Sequence, residues 1–221
     1  DKFGTAAWVI EGRRSDGRLE GQCIIPGGPE DQSAYRSELG GLYAIAAMVQ
    51  VICELHNIQE GSIEVACDGM NALAQVGEAD PIIRPNGAQY DIIAATQAKI
   101  KRTNIQWKMR HVMGHQDDTQ GCTVMDRWET LNCRMDKQAK QHWLQHSTRT
   151  TRVQEAVDSE PWAVWTGSSK ICRRLAAQVI EHVRGTQCKV YWDSKSRFQS
   201  GTTALINWDA VSQAYKGVKL S

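Results

Sequence analysis

The chain has no Cys-x-x-Cys pair. Its seven cysteines, at positions 23, 53, 67, 122, 133, 172 and 188, are odd in number and irregular in spacing. That excludes the usual zinc spacings and gives no sign of a disulfide framework. Cys53 and Cys67 lie in apolar runs and read as small core residues. A reducing, intracellular setting, cytoplasmic or nuclear, is the expectation. No apolar stretch reads as a membrane span of roughly 20 residues, and no signal peptide is recognisable, so no membrane role is expected. Internal repeats and low-complexity tracts are absent as well. The sequence opens at Asp1 in mid-pattern without an initiator Met, which suggests a segment of a longer polypeptide.

What is present is an unremarkable amount of apolar residue, 41%, over 221 residues, enough for one good core and a small second unit. The net charge of +1 hides an asymmetry. Residues 1–146 carry 15 Lys/Arg against 19 Asp/Glu, whereas residues 147–221 carry 11 against 6. An acidic unit with a basic appendage suits a protein that gathers cations at one place and meets phosphates at another. Ordinary drift of a solvated surface accounts for the tail equally well.

Periodicity predicts strands over Gly4–Ile10 and Leu19–Ile25, separated by the turn Ser15-Asp16-Gly17. A long helix follows from about Ser33 or Tyr35 to Leu55. Further strands are expected at Ile63–Cys67 and Asn104–Val112, and helices around Asn71–Val76, Gln89–Arg102 and Thr130–Gln145. The fold class is therefore α/β, a mixed sheet flanked by helices. The polar stretch 147–158 reads as a linker, so a chain ending near Ser147 is expected to keep a folded core. Residues 159–221 read as a small, mainly helical, tryptophan-containing unit. In it Ile171, Leu175, Val179 and Val183 keep helical spacing, Gly185 stands as a C-cap, and a second helix spans 203–215.

Three acidic positions stand out. Tyr35-Arg36-Ser37-Glu38 heads an apolar helix, and Glu38 shares a face with Leu42, Ile45, Val49 and Ile52. Ile63-Glu64-Val65-Ala66-Cys67-Asp68-Gly69 is a strand ending in a carboxylate. Leu131-Asn132-Cys133-Arg134-Met135-Asp136 follows His111-Val112-Met113-Gly114-His115. Each has a bland reading: Glu38 as a first-turn acid favoured by the helix dipole, Asp68 as a turn or N-cap residue, Asp136 as an exposed helix acid. Carboxylates at the rim of a core must otherwise be paired, protonated or metal-bound.

In order and spacing these motifs resemble the type 1 ribonuclease H family. The resemblance is closest to the ribonuclease H domain of eukaryotic retrotransposon polyproteins, through Gly114-His115-Gln116-Asp117-Asp118 and residues 131–140, and it covers about two thirds of the chain. It implies a ribonuclease H-like fold and endonucleolytic hydrolysis of the RNA strand of an RNA–DNA hybrid with two Mg²⁺ or Mn²⁺ ions. Asp68 would share the ions, Glu38 would hold one and Asp136 the other. His115 would assist proton transfer or product release, unless it is simply a surface-loop histidine. Ser33, Tyr35 and Asn71 would lie along the hybrid's minor groove, with the reverse transcriptase portion of the same polyprotein as a partner. Lys101, Arg102, Lys108 and Arg110 are candidate phosphate contacts.

One departure matters. The family carries a fourth carboxylate, an Asp on its first strand, and no Asp-Gly-Ser precedes the strand at Gly4–Ile10. Either Asp1 takes that place or the first strand lies upstream, and the chain then lacks a ligand and a central strand. Two rivals follow: a degenerate copy that binds nucleic acid or supports a reverse transcriptase without cleaving, and an integrase- or exonuclease-type use of a similar sheet.

Overall fold

A computed structural model describes residues 3–12, 17–77, 87–114, 125–147, 157, 163–166, 169–195, 206 and 207. Among these, β1 (Thr5–Glu11) pairs antiparallel with β2 (Arg18–Ile24), Thr5 opposite Ile24 and Glu11 opposite Arg18. The helix α1 (Ala34–Leu55) follows, then β3 (Ser62–Cys67), α2 (Met70–Gly77), α3 (Tyr90–Lys101) and β4 (Gln106–His111). β3 and β4 are parallel, Ser62 opposite Gln106 and Cys67 opposite His111, which requires the crossover that α2 and α3 supply. α4 (Arg127–Ser147) follows, and the short strands β5 (Trp165–Thr166) and β6 (Ser169–Lys170) form a small hairpin. The last described helix is α5 (Leu175–Asp193).

The fold is mixed α/β, and the expected elements of the first 147 residues are present within a few residues of their predicted ends. The single mixed sheet is not. Among the described residues the strands form three separate two-stranded sheets, because no described strand lies between β1 and β3.

α1 explains how the core is built. Ser33 caps it by accepting the Arg36 N–H at 3.1 Å. Leu39, Leu42, Ala46, Val49 and Cys53 are buried along it, and it packs on both β1 and α3. The expectation that no stretch reaches membrane-spanning size needs correcting. By length and composition alone, this 22-residue helix is long and apolar enough to cross a bilayer. In this structure its apolar face forms the protein core, shared with Ala6, Val65, Leu73, Ile92 and Ile93.

The compact first unit runs from Asp1 to Leu175, beyond the boundary expected near residue 147. The reason is chemical. Lys170 is buried with its Nζ 2.9 Å from an Asp91 carboxylate oxygen, the Tyr90 hydroxyl donates to the Ile171 carbonyl at 2.8 Å, and Ile171 and Cys172 are buried. Of the expected linker only Val157 is described, and it joins the core. The second unit, Ala176–Ser221, is represented mainly by α5. Gly185 lies inside that helix rather than capping it, and Ile171 precedes the helix. The helix expected over 203–215 falls outside the described residues.

Arg36 and Asp91 are fully buried and join α1 to α3. Arg36 donates from its two terminal nitrogens to the two Asp91 oxygens at 3.0 and 2.8 Å, from Nε to the Pro26 carbonyl at 2.7 Å, and to the Gln89 amide oxygen. Gln89 in turn donates to the Asp31 carbonyl at 2.9 Å, which holds its backbone in the left-handed region, φ 62°, at the start of α3. Burial works against the Asp91 charge, yet the hydrogen bonds and charge of Arg36, with those of Lys170, hold its carboxyl well below the usual range. The stabilisation is therefore fully present above the ordinary aspartate range and is lost as pH falls below it. Asp91→Asn leaves two buried cations without their anion and should cost about 3–5 kcal/mol in urea unfolding of the full chain. A cost under about 1 kcal/mol would show that the cluster does not hold α1 on α3.

Candidate active site

Three of the expected residues come together. Glu38 on the second turn of α1, Asp68 just past the end of β3 and Asp136 midway along α4 all line one cavity of about 660 Å³. Local sequence accounts for each placement. Two residues along a helix turn a side chain by about 200°, so Arg36 faces α3 while Glu38 faces the strands. Asp68 stands where β3 stops, and Gly69 lets α2 start at once. Asp136 lies one turn before Ala139, whose carbonyl accepts the Thr5 hydroxyl at 2.8 Å, so α4 is fastened to β1 beside it.

The carboxylates feel one another. Burial first, then the charges of Asp68 and Asp136, pushes the Glu38 carboxyl above the ordinary glutamate range. Tyr35 is raised by burial and by Glu38, which places it at the same edge. Close approach is enforced by glycine: a Cβ on Gly69 would run into the Glu38 carboxylate, and one on Gly114 would sit 2.5 Å from an Asp68 oxygen. Cys67 is held as a neutral thiol, pushed up to about 12 by burial, and lies 3.8 Å from an Asp68 oxygen.

A protonated thiol beside three carboxylates makes an oxygen donor set, the kind that Mg²⁺ and Mn²⁺ prefer. Mutual repulsion at Glu38 is what a bound cation would relieve. Among the described residues no three His, Cys, Asp or Glu side chains close on a single point.

Of the other expected residues, Tyr35 lies beside Glu38. Ser33 is exposed and serves as the α1 cap, Tyr35 packs partly on the core, and Asn71 is exposed on the first turn of α2. His115, with Asp117 and Asp118, lies outside the described residues, as does Asp1. Arg110 is engaged, 2.6 Å from Glu64 and over the Trp128 ring, while Lys108 lines the cavity. Sequence reasoning passed over His111, whose Nε2 lies 3.1 Å from the Asp68 carbonyl oxygen. Its place near the end of the predicted strand 104–112 was the only signal in the sequence; the register that sets it opposite Cys67 is seen in the structure alone. Trp128 and Asn132, also in the cavity wall, carried no such signal. No protein-family model, curated protein or solved structure matches the chain.

The raised Glu38 pKa gives a stability test. Below the ordinary glutamate range the carboxyl is protonated in both folded and unfolded chains and costs nothing. Above its folded value, ionisation destabilises the fold. Glu38→Gln should therefore raise the thermal midpoint at pH 7–8, with the gain vanishing below about pH 4. Millimolar Mg²⁺ should raise the midpoint of the wild type more than that of the variant. A variant less stable than wild type at pH 8 would show that the carboxylates do not oppose one another.

Proposed function

We propose that this chain is a ribonuclease H-type unit that hydrolyses the RNA strand of RNA–DNA hybrids within a retroelement polyprotein. The observation that carries the reading is the gathering of Glu38, Asp68 and Asp136, from three separate elements, at one cavity. It gives chemical content to the motif resemblance, because those are the positions the resemblance assigns to two divalent cations. A ribonuclease H-like arrangement is the finer fold reading that goes with it.

Asp68 would hold both ions, Glu38 one and Asp136 the other. Bound there, such ions activate a water and stabilise charge on the leaving oxygen. The protein's own contribution is placement. α1, pinned through Arg36, presents Glu38; the strand end presents Asp68; α4, fastened at Thr5, presents Asp136. His115 is assigned proton transfer to or from the reacting oxygens. Ser33, Tyr35 and Asn71 would follow the hybrid backbone. The Ser33 oxygen accepts the Arg36 N–H, which leaves its own hydrogen to donate to a 2′-hydroxyl.

The second reading is a non-cleaving unit that binds nucleic acid or supports a reverse transcriptase. The departure from the family pattern, with no Asp-Gly-Ser before the strand at Gly4–Ile10, favours it. Activity separates the two. The chain extended by an N-terminal strand that ends in Asp-Gly should cleave RNA in a hybrid with Mg²⁺ or Mn²⁺ and leave duplex DNA intact. In that extended protein Asp68→Asn, which keeps size and removes charge, should abolish cleavage. Full activity in Asp68→Asn would overturn the assignment, and no cleavage by the extended wild type would favour the second reading.

A further inference from the structure

The helix α4 carries a pair of side chains that the carboxylate site does not use. His142 and His146 stand four residues apart, the spacing that makes two side chains neighbours on one helix face. Their ring centroids are 4.3 Å apart and the ring planes are tilted by 54°. Both residues are half-buried.

The chemistry of the rings follows from their surroundings. His146 Nδ1 lies 2.9 Å from the His142 carbonyl oxygen. A carbonyl oxygen only accepts, so Nδ1 carries the hydrogen and donates it. In the neutral ring the lone pair then belongs to Nε2. A carbonyl on one ring nitrogen is a common outer partner of a metal-binding imidazole, because it fixes both the tautomer and the direction of the ring. Burial, and then the charge of His146, holds the His142 pKa below the ordinary histidine value. That ring is therefore neutral at pH 7, the form that ligates metals.

Two further features favour a cation at this place. His146 is in the last turn of α4, where the helix dipole is negative. Trp143, next to His142, stacks on Phe3 with ring centroids 6.2 Å apart. This turn is thus fastened to the residues that lead into β1, and little ordering is left for an ion to impose. A basic residue meeting the helix end would account for His146 alone. It leaves unexplained a second imidazole one turn earlier, with its ring against the first.

We infer that His142 and His146 form a bidentate site for a divalent cation that prefers imidazole nitrogen, of the Zn²⁺ or Ni²⁺ kind, which staples the last turn of α4. Water completes the coordination. The site is separate from the carboxylates in chemistry and in place. The oxygen donors there suit Mg²⁺ and Mn²⁺ instead. Asp136 precedes His142 by six residues, roughly 9 Å along the helix axis and about 240° around it. The inference therefore does not depend on the proposed hydrolysis.

The test is equilibrium dialysis of the full chain against Ni²⁺ in millimolar Mg²⁺, for the wild type, His142→Gln, His146→Gln and Asp68→Asn. The wild type and Asp68→Asn should show the same saturable site. Each histidine variant should bind there at least about tenfold more weakly, because one arm of the chelate is gone. Far-UV circular dichroism without metal should be the same for all four proteins. Ni²⁺ should also slow amide hydrogen exchange in residues 143–147 of the wild type and in neither histidine variant. Equal Ni²⁺ affinity in the wild type and both histidine variants would overturn the inference. So would loss of the site in Asp68→Asn alone, or binding that leaves exchange in residues 143–147 unchanged.

Discussion

The Arg36–Asp91 ion pair, with Lys170 as a second cation, is the constraint from which the rest of the first unit follows. Burying three charged groups is costly unless each is paired and its remaining hydrogen-bonding capacity is met. Here Arg36 spends its donors on Asp91, Pro26 and Gln89, and Asp91 receives both cations. The cluster ties the loop after β2, the first turn of α1, the start of α3 and the end of β6 to one point. Satisfying it fixes the rotation of α1 about its axis. With Arg36 turned to α3, Glu38 has only the strand side to face.

The carboxylate site inherits that geometry at a cost. Three acids on α1, beyond β3 and on α4 are brought near enough that Asp68 and Asp136 oppose ionisation of Glu38. A fold selected for stability alone would place a cation or an apolar side chain there. Glycines at 69 and 114 remove the side chains that would keep the acids apart. The buried cluster supplies rigidity and the acidic site spends some of it, which is the usual relation between a scaffold and a site that binds charge.

Local patterning made much of this legible. Alternation and 3.6-residue spacing are short-range signals, so the strands and helices to residue 147 matched their predicted spans, and Glu38 pointed where its apolar companions did. Pairing is long-range, and it was less readable. Nothing around Arg36 announces a partner 55 residues away in Asp91, or that Lys170 lies 79 residues beyond Asp91. For the same reason the polar composition of 147–158 suggested a boundary and gave no sign that Lys170 and Ile171 bond to the start of α3. Gly185 read as a helix stop because a C-cap glycine and a tolerated mid-helix glycine look alike in sequence. The division of the strands into separate sheets depends on what lies between β1 and β3, which no strand's own residues record.

The central claim is that Glu38, Asp68 and Asp136 together form a divalent-cation site. Its most direct test is a titration of the full chain with Mn²⁺, following the free ion by electron paramagnetic resonance. Saturable binding to the wild type, displaced by Mg²⁺ and lost when Asp68 is changed to Asn, is the predicted result. Mn²⁺ binding that is the same in wild type and in Asp68→Asn would contradict the account.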